Sequence, residues 1–256
     1  MEINKERVHN QFRRSMPSYD ENARVQKIVA DHLCSMTVEE LFHVPQRMLE
    51  VGCGTGLLTS RLRVLFPDSE LFVNDLVEDL SRITAAANNI PKRHCVAGDI
   101  EQVKLPGKFD LIVSASTFQW LTNPDTTLRK LADSLIDYGC MVFSTFGKHN
   151  LREIRLTTGG GLEYRTKEEM QELLSPYFTV ERVVEEFHIL DFDTPLDVLQ
   201  HLKKTGVNVS NDPSVWTKGR VNAFIDDYNT RFAMDGKVPL TYHPLYFVCR
   251  KKAIEN

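Results

Sequence analysis

From about residue 45 to residue 146 the chain alternates two hydrophobic rhythms. Short, largely apolar runs at 48–51, 70–75, 94–99, 109–114 and 140–146 read as strands. Between them apolar residues recur at helical spacing, at Leu58, Leu62, Leu65 and Phe66 and again at Leu128, Leu131 and Leu135. Strands alternating with helices predict a parallel, doubly wound sheet, whose ligands lie beyond the carboxyl ends of the strands. Asp75, Asp99 and Ser114 end three of these runs, so all three are expected on that edge.

The flanks read differently. Residues 4–16 suggest a short helix that Pro17 ends, and Asp20 suggests the cap of a second helix over 21–36, with Ala23, Ile28, Val29 and Leu33 on its buried face. This leading segment either packs on the sheet's edge or closes over the turn after the first strand. Beyond 147, three glycines at 159–161 form a loop, and Thr166 with Glu169 frames a capping box for a helix over 166–174. Residues 178–193 alternate as one long strand, 194–202 and 218–232 as helices, and 238–250 as a last strand broken near Pro244. There are no repeats, low-complexity stretches or Pro/Ser-rich linkers. One domain is therefore expected over 1–256: a helical lid (1–36), a cofactor-binding core (45–146), and substrate-side helices with the last two strands (147–256).

The first strand runs into Gly52-Cys53-Gly54-Thr55-Gly56, and a helix follows. Glycines there let the backbone turn and approach a ligand closely. A dinucleotide fingerprint spaces its glycines G-x-G-x-x-G; here they alternate and position 57 is Leu. Glu50 beside the turn would repel a pyrophosphate and suits a cationic amine. Asp75, 19 residues beyond Gly56, is placed to accept ribose hydroxyls, or else to cap a helix. Asp99, after Gly98, is placed to accept an adenine amine, or else to cap the turn into Ile100. Adenosine joined to an amino acid without phosphates is S-adenosyl-L-methionine.

Composition narrows the class. The chain has 256 residues, 42% of them hydrophobic, and a net charge of −4, which argues against general affinity for nucleic acid or an anionic membrane. The five cysteines suggest neither a disulfide framework nor a metal cluster, and fit reduced thiols in a cytoplasm. No apolar run approaches the ~18 residues that span a bilayer.

Leu49 to Gly56, Asp75, Gly98-Asp99-Ile100 and the strand over 109–114 together resemble class I S-adenosylmethionine-dependent methyltransferases. The resemblance implies a Rossmann-like α/β fold: a seven-stranded, mostly parallel sheet with an antiparallel last strand. It also implies cofactor contacts from Glu50, Gly52, Cys53, Gly54, Gly56, Asp75, Leu76, Gly98, Asp99, Ile100 and Ser114, with S-adenosyl-L-homocysteine as product. Asn74-Asp75-Leu76-Val77 departs from the commoner Asp-Leu-Ser pattern but keeps the acid.

Outside this core, Phe12 with Tyr19 to Gln26, Ser114 to Trp120, Leu202 to Gly206 and Leu240 to His243 are similar to the malonyl-acyl-carrier-protein O-methyltransferases of biotin synthesis. That family methylates the free carboxylate of a malonyl thioester on acyl carrier protein. The substrate is already ionised, so no catalytic base and no metal are expected. A methyltransferase acting on another small acid or a quinone precursor is the alternative, and a non-enzymatic binding protein a more distant one. Candidate substrate contacts are Tyr19, Gln119, Trp120, Arg152, Tyr242 and His243, each with a structural alternative as packing or solvated surface. Lys148, Arg152 and Arg155, or Lys203 and Lys204, are candidates for meeting an acidic carrier.

Overall fold

A computed structural model describes residues 3–207 and 217–252. The strands are β1 (Arg47–Val51), β2 (Glu70–Asp75), β3 (Cys95–Ala97), β4 (Phe109–Ser114), β5 (Leu135–Phe146), β6 (Phe178–Glu185), β7 (His188–Phe192), β8 (Val238–Tyr242) and β9 (Pro244–Lys251). Seven of them form one sheet in the order β3-β2-β1-β4-β5-β9-β6. The first five are parallel, and β9 runs antiparallel between β5 and β6. The expected sheet, with its antiparallel last strand, is the one observed.

Helices cover both faces: α1 (Lys5–Asn22), α2 (Arg24–Glu40), α3 (Leu57–Leu65), α4 (Glu78–Ala87), α5 (Pro124–Asp133), α6 (Arg152–Thr158), α7 (Lys167–Leu174), α8 (Pro195–Lys204) and α9 (Lys218–Phe232). Strand alternation sends neighbouring side chains to opposite cores. Met48, Leu111 and Val142 pack with Leu33 of α2, Leu62 of α3 and Leu202 of α8. Leu49, Ile112 and Met141 pack with Leu131 of α5 and Leu174 of α7. Burial on both faces explains why these strands read as continuous apolar runs. Among the described residues no helix is long and apolar enough to cross a membrane.

Several expectations are corrected. Pro17 lies inside α1 and does not end it, and the helix breaks instead at the buried Ala23. Pro17 removes one donor, but Ser18 Oγ and Asn22 Nδ2 donate to the carbonyls of Ser15 and Ser18 at 3.2 and 2.7 Å and brace the turn around it. Asp20 therefore caps nothing and is free for another contact. Leu135 opens β5 rather than closing α5, because a buried Leu satisfies either periodicity. The third strand is shorter than expected, at Cys95–Ala97.

The run over 178–193 is two strands in two sheets. The chain breaks at His243, between β8 and β9, and its partners divide to match: β6 follows β9 in the main sheet, and β7 follows β8 in a separate two-stranded ribbon. The capping box at Thr166 and Glu169 is present, and Thr194 with Asp197 forms a second one.

Fully buried Glu153 fastens α6 to the ribbon. Its carboxylate accepts from the Thr241 backbone N–H at 3.0 Å and from Thr241 Oγ1 at 2.6 Å. Glu153→Ala strands those donors and is expected to lower unfolding stability by about 3 kcal/mol. Chemical denaturation should show an earlier midpoint with an unchanged slope.

Candidate active site

Beyond the carboxyl ends of β1, β2 and β4 lies a cavity whose floor is made by the turns that leave those strands. At the first turn, the N–H groups of Gly52 and Cys53 both donate to Asn74 O at 2.9 Å. The Gly54 N–H donates to Asp75 Oδ2 at 2.8 Å. Gly52 has φ +74°, and a Cβ there would fall 2.1 Å from Thr117 Oγ1, so the position tolerates only glycine without rearrangement. Gly56, at φ +93°, sits at the N-terminus of α3 and outside the cavity lining.

Asp75 is buried, and its second oxygen accepts from the Val77 N–H at 2.8 Å. Burial pushes its pKa up, against the pull of the two backbone donors. The carboxylate braces the turn into α4 and also lines the cavity. Leu76 lines the cavity beside it. Gly98 stands behind the wall, donating to Asp75 O at 2.9 Å, while Asp99 and Ile100 face in. Asp99 Oδ1 likewise caps a turn, accepting from the Glu101 N–H at 3.0 Å.

Helix α1 roofs the cavity with Lys5, Val8, Phe12, Met16 and Tyr19. It is tied down at both ends. Lys5 Nζ lies 3.1 Å from Asp99 and 2.6 Å from Glu101. Asp20 accepts from Thr55 Oγ1 at 2.6 Å. Burial would raise the Glu101 pKa, but Lys5 and the Thr122 and Asn123 donors outweigh it and hold the carboxyl down at about 2. Of the two placements open to the leading segment, α1 takes the lid position, while α2 packs on the sheet.

Glu50 opens into a smaller pocket next to the cavity, which also includes Cys53, Tyr19, Gln26 and Ser116. Its carboxylate is buried and accepts from Thr59 Oγ1 at 2.6 Å. Burial pushes its pKa up to about 8; the Thr59 hydrogen bond opposes this and the nearby Asp75 adds to it. Such a carboxyl gains from a cationic partner. The Cys53 thiol is buried and its pKa is likewise raised by burial, which makes it unreactive.

Trp120 lines the cavity, edge-on to Phe12 at 5.7 Å, and its buried indole N–H has no partner. Tyr19, another substrate candidate, also lines the cavity; the remaining ones, and the cofactor candidate Ser114, fall elsewhere. Ser114 is fully buried and donates to Val51 O at 2.7 Å; its neighbours Ala115, Ser116 and Thr117 form the wall, because strand alternation turns Ser114 inward. Gln119 donates to Ser116 O at 2.5 Å and so braces that wall from behind. Arg152 lies on a solvated helix face, paired with Glu153 at 3.1 Å. Arg155 Nη2 donates to Lys148 O and the guanidinium lies over the Tyr164 ring, while its buried Nε has no hydrogen-bond partner.

Tyr242 is buried, 2.8 Å from His201 Nε2. His243 is buried too: its Nδ1 accepts from the His149 N–H at 3.0 Å, so Nε2 donates to Glu185 at 2.7 Å. Lys5, Val8, Met16, Thr55, Asn74 and Leu121 were not legible as site residues, since nothing local marks which face of a helix covers a cavity.

The sequence model of the family described as "Methyltransferase domain" matches residues 49–143. The fold resembles the YcgJ protein of Bacillus subtilis, with a TM-score of 0.64 at 13% identity over 88% of this chain and 99% of that one. It also resembles the N-methyltransferase NodS of Bradyrhizobium japonicum in complex with S-adenosyl-L-homocysteine, with a TM-score of 0.53 at 16% identity over 91% of this chain and 88% of that one. The family match thus places a methyltransferase domain over residues 49–143.

Proteins named malonyl-[acyl-carrier protein] O-methyltransferase match nearly the whole chain. The one from Haemophilus influenzae is 36% identical over 99% of this chain and 97% of its own length. The one from Bacteroides thetaiotaomicron is 33% identical over 98% and 100%. A relative in Bacteroides fragilis is 37% identical over 96% of this chain, which spans about half (50%) of that protein's length. The chain belongs to the malonyl-[acyl-carrier protein] O-methyltransferase family.

Gly52→Ala places a Cβ against Thr117 and holds alanine in the left-handed region. It is expected to lower the melting temperature, with a backbone cost alone of roughly 1–2 kcal/mol, read by thermal denaturation of purified protein.

Proposed function

We propose that this chain transfers a methyl group from S-adenosyl-L-methionine to the free carboxylate of a malonyl thioester on acyl carrier protein. The product is the malonyl methyl ester that starts pimeloyl assembly in biotin synthesis. The observation that carries this reading is the match, over nearly the full chain, to relatives named for that reaction. The five free thiols fit a cytoplasmic setting.

The residues present fit the methyl donor. Glu50, buried and easily protonated when alone, takes the ammonium of the amino-acid end. The Gly52–Gly56 turn lets that end pass close to the backbone. Asp75 keeps lone pairs beyond its two backbone bonds for ribose hydroxyls. Asp99 and Ile100 border the adenine, the first through polar contact and the second through packing.

The bound donor supplies a sulfonium-activated methyl group and leaves as S-adenosyl-L-homocysteine. The chain's part is to position and to exclude water. The acceptor carboxylate has a reference pKa near ~4 and is ionised at pH 7, so no side chain has to remove a proton. Val8, Phe12 and Met16 of α1 seal the cavity from above, and Trp120 and Leu121 form an apolar wall. Dry walls strengthen the attraction between carboxylate and sulfonium, and a fixed approach line replaces a chance encounter. Tyr19 borders both the cavity and the Glu50 pocket, where the amino-acid end and the acceptor meet. The Trp120 indole N–H is an unpaired donor for a substrate carbonyl or carboxylate oxygen.

Two measurements test this reading. Incubation with methyl-labelled S-adenosylmethionine and malonyl-carrier protein should yield a base-labile methyl ester on the carrier; transfer only to an unrelated acid or a quinone precursor would overturn the assignment. The second concerns pH. Below its pKa of about 8, Glu50 in the empty site is partly protonated and cannot pair with an ammonium. Affinity for S-adenosylhomocysteine is therefore expected to rise from pH 6 to 8, with proton release on binding, and Glu50→Gln should weaken binding and flatten that rise. A pH-independent affinity in the wild type would contradict the pairing.

A further inference from the structure

Lys5 is the only cationic side chain among the described residues that line the cavity. The chemistry above uses it only to tie down the lid. One acid would serve for that, and its ammonium meets two: it lies 2.6 Å from Glu101 Oε2 and donates to Asp99 Oδ1 at 3.1 Å. Lys5 and Asp99 both line the cavity and keep accessible surface, 23% and 18% of their side chains. Glu101 lies outside that lining, with only 4% of its side chain accessible.

The donors and acceptors at this point can be counted. Asp99 Oδ1 accepts from Lys5 and from the Glu101 N–H, while Oδ2 has no partner among the described residues. An ammonium carries three donors, and the two acids take two of them. One acceptor and one donor are left side by side on the cavity wall. The amine-bearing edge of an adenine presents the complement: an amine that donates, with a ring nitrogen that accepts on either side of it. A carboxylate alone takes the amine but sets its negative charge against the lone pair of the ring nitrogen, and Glu101 adds a second negative charge nearby. The Lys5 ammonium replaces that repulsion with a charge-assisted hydrogen bond.

We propose that Lys5 is a specificity-determining residue for the base of the methyl donor: Asp99 accepts from the adenine amine, and the Lys5 ammonium donates to a ring nitrogen beside that amine, N1 or N7. This rests on the cofactor reading given above. Lys5 opens α1, so the base is held by floor and lid together, and the lid's own anchor takes part in recognition.

The test compares three probes by calorimetry: S-adenosylhomocysteine and its 1-deaza and 7-deaza analogues, in which a C–H replaces one ring nitrogen and the amine is kept. The wild type should bind one of the two analogues about 10-fold more weakly than S-adenosylhomocysteine, and which one it is identifies the nitrogen. In Lys5→Met that gap should close, whatever affinity all three probes lose in common through a looser lid. Glu101→Gln loosens the same anchor but keeps the donor, so there the gap should persist. A side chain that only anchors the lid would lower all three affinities by one factor and leave their ratios untouched. Equal binding of all three probes by the wild type, or a gap of the same size in Lys5→Met, would overturn the inference alone; the first comparison needs no variant to fold. Failure of the wild type to bind any of the probes would overturn it together with the cofactor reading.

Discussion

The bond from the Gly54 N–H to Asp75 joins the ends of two strands into one surface. β1 and β2 are in parallel register, with Val51 opposite Asn74, so their exit turns rise side by side. Asn74 O receives the first two N–H groups of the glycine turn, and Asp75 receives the third donor. The Asn74 amide in turn donates to Val96 O and Gly98 O at 2.6 and 2.9 Å, carrying the same connection across to β3. One strand end thus organises the three turns that form the floor. The side chains that brace the backbone also face the cavity, which is why burial bears on their acidity.

The carboxylates explain how this economy works. An ionised carboxylate has about four lone-pair directions. Asp75 spends two on the backbone and Asp99 at least one, with the rest directed to the cavity or to Lys5. Capping and ligand binding are competing readings only when each carboxylate is assumed to do one thing. Glu50 differs: with a single protein donor, Thr59, and no exposure, it is the group whose charge is least compensated.

The lid shares its anchor points with the floor. Lys5 grips Asp99 and Glu101 at the third turn, and Asp20 grips Thr55 in the first. Partly exposed polar contacts of this kind contribute little stability singly. The apolar contact of Phe12 with Trp120 and the burial of Val8 hold α1 down, while the polar pairs fix where it lies.

The parallel core was legible from residues 45–146 because strands buried on both faces must be continuously apolar, and a glycine turn between strand and helix is a local signal. Glu50, Asp75 and Asp99 could be placed beside the cavity for the same reason: strand ends in such a sheet share one edge. What local pattern could not decide was the direction of side chains that depend on distant partners. Ser114 sits at a strand end but points inward; Tyr242 and His243 straddle a break that sends β8 and β9 to different sheets, and both are buried away from the cavity. Pro17 looked like a helix end because its missing donor is a local property, whereas the packing and side-chain bonds that carry α1 past it are not. The sequence by itself determined the strand order's raw material, the turn chemistry and the acids beside it. Only the tertiary structure decided that α1 is the roof and that α2 borders the Glu50 pocket, because both follow from contacts between segments far apart in the chain, which periodicity does not encode.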